Sequence, residues 1–219
     1  MREQTAVEIK RRGAAACLFA APVLMLTGDA LRYWAGAQRV WLVMLKLALA
    51  LFVGAALGVV GLTRGRADGA GLLGGALVVV GCLAGSGIVT ANAIFQSFDA
   101  AALGAAAERA VEASMMKGGV REYILLYPLP GLAFPAGFLV LAYALWRSRA
   151  ASPAAALLVA LGALLFPIGR IGGIEAAVMG SGLAFMLGMA LVALRLLGLG
   201  AGEPSYSRPT PSASATRLM

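Results

Sequence analysis

The chain has 219 residues, of which 61% are hydrophobic and 13% are charged, and its mean hydropathy is +0.87. Soluble domains are about 45–50% apolar and about 25% charged, so this composition excludes an ordinary soluble protein. Ala, Leu and Gly dominate and β-branched residues are few, which favours helices as the structure that satisfies backbone hydrogen bonds in lipid. The sequence predicts an all-α, polytopic integral membrane protein with the lipid bilayer as its surroundings.

The formal net charge of +8 does not indicate nucleic-acid binding, because the basic residues form short clusters between apolar runs. That arrangement is typical of the loops that set membrane topology. Histidine is absent, which removes imidazole as a general base and as a metal ligand. Cys17 and Cys82 lie in different apolar runs without a neighbouring ligand residue. We therefore expect no metal, no cofactor and no nucleic-acid partner, and we identify no catalytic residue.

The polar segment 1–12 ends in three basic residues, and an apolar run starts at Gly13. A basic start before a short apolar stretch is also the pattern of a cleaved signal peptide. The run continues to about Trp34, and no small-residue cleavage site follows it cleanly. We predict a cytoplasmic segment 1–12 and a retained first membrane helix, with signal cleavage as the alternative.

Five more apolar runs follow, each near the ~20 residues that cross a bilayer core. Together with the first run they make a predicted six-span domain over residues 13–200. The approximate bounds of the five runs are 38–63, 70–95, 123–146, 153–169 and 174–200. The polar segment 96–122 is predicted to be an extracytoplasmic loop containing a surface helix. The Pro/Ser-rich residues 201–219 are predicted to be a disordered cytoplasmic tail.

The distribution of Lys and Arg predicts the orientation of the six spans. With the N-terminus in the cytoplasm, eleven of the 18 basic residues fall inside and six fall outside. The short loops 64–66 and 147–149 each carry two arginines and show the clearest bias. Both termini are therefore predicted to be cytoplasmic in a cell-membrane protein.

Small residues at four-residue spacing recur along the predicted spans. Lipid provides no hydrophobic drive for one helix to meet another, so close packing depends on such residues. The pairs are Gly54 and Gly58, Gly71 and Gly75, Gly81 and Gly85, and Ala184 and Gly188. They indicate packing within the chain or between copies, so a homo-oligomer or a membrane protein partner stays open.

Six polar residues gather in the outer half of the predicted bundle and form a candidate polar pocket, because charges near lipid are costly and often functional. They are Asp29, Lys46, Asn92, Gln96, Arg170 and Glu175. Prolines at 128, 130, 135 and 167 interrupt the same half of the fourth and fifth spans. A broken helix in lipid needs a cover of protein or a water-filled cavity. The pattern favours an outward-facing pocket.

Each of these charges also has a structural interpretation. Lys46 can extend its long side chain to the interface, Asp29 can pair with Arg32 on the same helix, and Arg170 can pair with Glu175 in a loop. Three functions follow: transport of a small molecule or ion through the pocket, assembly with or regulation of a membrane partner, and, least favoured, enzymatic action on lipid. The last would use Asp29, Glu175 or Lys46 as acid or base.

Overall fold

A computed structural model describes residues 2–99, 109, 113 and 128–199 of the chain. These ranges contain six helices that are long and apolar enough to cross a membrane. The helices are α1 (Arg2–Ala35), α2 (Gln38–Thr63), α3 (Asp68–Asp99), α4 (Pro128–Ser148), α5 (Pro153–Gly172) and α6 (Glu175–Leu196). The predicted all-α bundle is thereby confirmed.

The polar N-terminal segment belongs to the first helix, because α1 already starts at Arg2. The Glu8 carboxylate lies 2.9 Å from an Arg11 nitrogen and 2.8 Å from Arg12 Nε, one helical turn away. Pairs at this spacing stabilise a helix by about 0.2–0.5 kcal/mol each. Segment 1–12 is thus helical from residue 2 onward and continuous with the first apolar span.

The helix ends near the long polar segment differ from prediction. The third helix extends four residues beyond residue 95 and includes Gln96. The fourth begins at Pro128, so Pro128 and Pro130 lie in its first turn and do not interrupt it, whereas Pro135 lies inside the helix. A first turn tolerates proline because its backbone N–H groups have no helical acceptor. The predicted loop beyond residue 99 lies outside the described residues except for helical positions 109 and 113, and the tail 201–219 lies wholly outside them.

The six helices form a closed ring. Each helix packs against its neighbours in the chain, and α6 packs against α1 to close the circle. Phenylalanines from α2, α4, α5 and α6 meet across the interior, with ring centroids 4.9–6.2 Å apart. They are Phe52, Phe134, Phe138, Phe166 and Phe185. The middle of the ring is therefore a packed aromatic core.

Two glycines allow α3 and α4 to cross closely. A Cβ added at Gly74 would lie 2.9 Å from the backbone nitrogen of Leu141, and one added at Gly137 would lie 2.6 Å from the backbone nitrogen of Val78. Gly54, from one of the predicted small-residue pairs, similarly faces Cys17 of α1, whose Sγ would lie 2.7 Å from an added Cβ. These small residues serve packing within the chain.

Successive helices run antiparallel, because the links between α1 and α2, α2 and α3, α4 and α5, and α5 and α6 are only two to four residues long. Between α3 and α4 the contacts run in opposite chain directions, from Gly74 with Leu141 to Gly81 with Phe134. As a result α1, α3 and α5 finish where α2, α4 and α6 begin. We call this end of the bundle the Asp29 end and the opposite end, with loops 64–67 and 149–152, the Arg64 end.

Candidate functional site

Asp29 is the charged residue buried most deeply among those described, with 1% of its surface exposed. It lies near the end of α1, and its carboxylate accepts from Arg170 Nη2 of α5 at 2.8 Å to Oδ1 and 2.7 Å to Oδ2. Trp41 of α2 donates its Nε1–H to Oδ1 at 2.8 Å. A buried carboxylate is stable only when paired and hydrogen-bonded. These contacts supply that pairing and connect three helices.

Arg32 and Arg170 both lie against the indole ring of Trp41. The Arg32 guanidinium carbon is 4.1 Å from the centroid of that ring, and the Arg170 carbon is 5.7 Å from it. Contacts of this kind are favourable because the face of an aromatic ring is electronegative. The interpretation in which Arg32 pairs with Asp29 is wrong, since Asp29 forms its ion pair with Arg170. Arg170 thus pairs with Asp29 and not with Glu175, the partner in the alternative interpretation. We call Asp29, Arg32, Trp41 and Arg170 the Asp29 cluster.

A cavity of about 530 Å³ opens beside the Asp29 cluster. Its polar lining consists of Arg32, Gln38, Asn92 and Arg170. Asn92 and Ile171 line the cavity and are exposed, so the cavity is open at this end of the bundle.

The inner part of the cavity is apolar. Leu45 and Leu49 of α2, Phe134 of α4 and Phe166 of α5 line it. Phe134 and Phe166 also belong to the aromatic core, with their centroids 4.9 Å apart. The core therefore forms the floor of the cavity, and a molecule entering from the Asp29 end would meet charged groups first and apolar groups below them.

Two prolines inside helices line this cavity. They are Pro135 of α4 and Pro167 of α5. A proline has no N–H, so the carbonyl four residues earlier loses its helical partner. For Pro135 that carbonyl belongs to Gly131, which also lines the cavity. Of the four prolines expected to interrupt these spans, two therefore lie inside helices and in the wall of this cavity.

The structure brings together only part of the predicted pocket. Asp29 and Arg170 bond directly, and Asn92 lines the same cavity as Arg170. Lys46 is exposed between α2 and α3, where Nζ donates to Thr90 Oγ1 at 2.9 Å. Glu175 is exposed at the start of α6. Neither of these two residues lines the cavity, so the structure separates them from Asp29, Asn92 and Arg170.

Gln96 lies within α3, one turn beyond Asn92, and its side chain is outside the described residues. The sequence interpretation missed Trp41 and Gln38 and gave Arg32 a different partner. One signal was available for Trp41, because a buried indole N–H normally needs an acceptor. Asp29 precedes Trp41 by 12 residues across a two-residue turn, so a helical hairpin places them side by side.

The arrangement suits binding better than acid–base chemistry, because both oxygens of the Asp29 carboxylate already accept hydrogen bonds. Comparison with protein-family models, with curated proteins and with solved structures found no match to the chain.

Proposed function

We propose that the chain is a multi-pass protein of the cell membrane that binds a small, largely apolar molecule in the cavity at the Asp29 end and transports it. The observation that carries this proposal is the cavity itself. Its volume of about 530 Å³ lies within the ~300–1,000 Å³ of small-molecule sites, and it combines an apolar interior with a few converging polar groups, as such sites do.

The positive-inside rule supports an outward-facing cavity. The Arg64 end carries Arg64, Arg66, Arg147 and Arg149, and Arg66 Nη1 donates to the Ser148 carbonyl at 3.3 Å, so the two basic turns lie together. With that end in the cytoplasm, the cavity opens on the opposite side and both termini are cytoplasmic.

The interrupted helices support transport in particular. A transporter has to expose its site to the other side of the membrane, which requires helices that bend at defined places. Pro135 and Pro167 lie in the cavity wall within α4 and α5, and sharp bends in helices occur mostly at proline. We propose that these two helices move during transport.

The enzymatic alternative loses its support, because the three groups it would use are separated. The Asp29 carboxylate accepts hydrogen bonds from Arg170 and Trp41. Lys46 donates to Thr90, and Glu175 is exposed at the start of α6. Assembly with a partner remains the second candidate, and binding without transport would favour it.

Three probes with an eight-carbon alkyl chain test binding: octanesulfonate, octanol and octyltrimethylammonium, with an anionic, a neutral and a cationic head. Binding of each radiolabelled probe is measured with the full chain in phosphatidylcholine nanodiscs. At least one probe is expected to bind, and Gly131→Leu is expected to weaken it at least about tenfold by filling the cavity. A Cβ at Gly131 has only Ile88 Cδ1 within 4 Å, at 3.9 Å, so the new side chain does not strike backbone.

Two control variants accompany the binding experiment. Gly87→Leu makes the same substitution at an exposed glycine of α3, and Lys46→Gln alters a polar residue that does not line the cavity. Both should bind like the wild type. If no probe binds, or if Gly131→Leu binds like Gly87→Leu, the proposed binding site is wrong.

Transport is tested in proteoliposomes with the permanently charged probe that binds best, since such ions cross pure lipid slowly. The proposal predicts uptake that exceeds that of protein-free liposomes and that Gly131→Leu abolishes. Binding without uptake would contradict transport.

A further inference from the structure

We infer that the ligand of this cavity is an amphiphilic anion, with a single negatively charged head between Arg32 and Arg170 and an apolar body directed toward the aromatic core. This inference rests on the proposed function and specifies the class of molecule that the cavity takes. The head would be a carboxylate, sulfonate or phosphate.

The charges at the mouth of the cavity leave one positive charge unmatched. Arg170 is neutralised by Asp29, whose oxygens lie 2.7 and 2.8 Å from Nη2. Arg32 makes no ion pair with any residue in the described part of the chain, and its guanidinium lies on the Trp41 ring. A ligand with one negative charge therefore brings the Asp29 cluster to neutrality, which matters most where water is partly excluded.

Hydrogen-bond donors remain on both arginines. A guanidinium carries five N–H donors. Both contacts of Arg170 with Asp29 come from Nη2, which leaves the N–H groups of Nε and Nη1 for another acceptor. Arg170 and Arg32 both line the cavity. Guanidinium groups match the paired oxygens of carboxylate and phosphate in geometry as well as charge.

The interior accommodates an apolar chain. Asn92 near the mouth and Gly81 deeper down both line the cavity on α3. They are eleven positions apart along the helix, a distance of about 16 Å. Leu45, Leu49 and Phe134 surround the inner part. This depth suits an extended hydrocarbon tail below a charged head, whereas a compact inorganic anion would leave the apolar walls unfilled.

The same three octyl probes separate this inference from the proposed function. The wild type is expected to bind octanesulfonate at least about tenfold more tightly than octanol or octyltrimethylammonium, since a charge-assisted hydrogen bond is worth about a factor of ten or more. Arg32→Gln should remove that preference. Arg39→Gln, which alters an exposed arginine outside the cavity, should retain it.

A second binding experiment distinguishes two sources of such an anion, the membrane and the surrounding water. Phosphatidate doped into the nanodisc presents the anionic head from the membrane, whereas octanesulfonate enters from water. Displacement of octanesulfonate by phosphatidate, but not by phosphatidylcholine, assigns the ligand to lipid. Retention of octanesulfonate binding in phosphatidate discs assigns it to water-soluble organic acids.

Two results would contradict the inference: octanol or the cation binds as tightly as octanesulfonate, or Arg32→Gln leaves octanesulfonate binding unchanged. If Gly131→Leu still weakens binding in either case, the proposed binding site stands and only the inference fails. The proposed function fails together with it if none of the three probes binds. Arg32→Lys provides a further check, because it retains the charge without the planar donors and should restore part of the preference.

Discussion

Asp29 depends on other helices for its stability, since every partner of its carboxylate comes from α2 or α5. Its surface is 1% exposed and the side chain of Arg170 is 18% exposed, so the pair is largely removed from solvent. Removing one partner of such a pair leaves the other charge uncompensated, which costs more than removing both. The sequence interpretation identified both residues as functional candidates without identifying their partnership.

Asp29→Asn is expected to lower the free energy of unfolding by roughly 3–5 kcal/mol, because it leaves Arg170 without its counter-charge. Arg170→Gln should cost a similar amount, and the double variant should be more stable than either single one. Denaturant titration in mixed micelles measures all four proteins. Glu175→Gln, at an exposed acid, serves as the control and should change stability by no more than about 0.5 kcal/mol. Strictly additive losses would show that Asp29 and Arg170 are not coupled.

Trp41→Phe tests the indole N–H. Phenylalanine retains an aromatic ring but removes the donor that lies 2.8 Å from Asp29 Oδ1. A hydrogen bond to a charged group contributes about 1.5–3 kcal/mol, so a loss of that size is expected in the same titration. Trp146→Phe is the matched control, because Trp146 is 61% exposed at the far end of α4. Equal effects of the two variants would argue against the hydrogen bond.

Lys46 shows why the sequence could not locate every pocket residue. On α2 the buried positions include Trp41, Leu45 and Leu49, and Lys46 lies beside this stripe with exposed Leu47. In a soluble helix the exposed face is polar and reveals its orientation. Here the exposed face of α2 is also apolar, so hydrophobic periodicity did not reveal which way Lys46 points.

The helices themselves were largely predictable. An apolar run of about 20 residues has few alternatives to a membrane-crossing helix. Segments α2 and α5 begin at the predicted residues, Gln38 and Pro153. Ser152 explains the second of these starts, because its Oγ accepts from the Ala155 backbone N–H at 3.2 Å. The helix ends flanked by polar residues were less predictable, because these helices continue beyond their apolar runs. Ion pairs stabilise the polar start of α1, which begins at Arg2, and α3 ends four residues after its predicted apolar run.

The crossing of α3 and α4 gives a prediction about helix packing. Gly74→Ala would place a Cβ 2.9 Å from the backbone nitrogen of Leu141, so the two helices have to separate. Overpacking of this kind costs about 1–3 kcal/mol. Gly87→Ala on the same helix is the control, because nothing lies within 4 Å of its added Cβ. The titration should find Gly74→Ala destabilised and Gly87→Ala unchanged or slightly more stable, since alanine favours helix. Equal stability of both variants would refute the close crossing.

The sequence could not predict that the six helices close into a ring. Asp29 and Arg170 are 141 residues apart, and they meet only because α6 packs against α1. Local patterns predict which helices are consecutive, whereas the order around a bundle depends on how small residues fit together. Gly182 of α6 is one example, with Leu26 Cδ1 of α1 2.8 Å from its added Cβ.

We propose that the bundle crosses the cell membrane with its cavity outside and its Arg64 end in the cytoplasm. Labelling of single cysteines tests this orientation. Ile171→Cys places one at the cavity mouth and Arg64→Cys places one at the other end, each in a chain whose Cys17 and Cys82 are replaced by alanine. Both introduced positions are exposed. A membrane-impermeant maleimide added to intact cells should label residue 171 at once and residue 64 only after permeabilisation. Labelling of residue 64 in intact cells, or of both residues equally, would contradict this orientation.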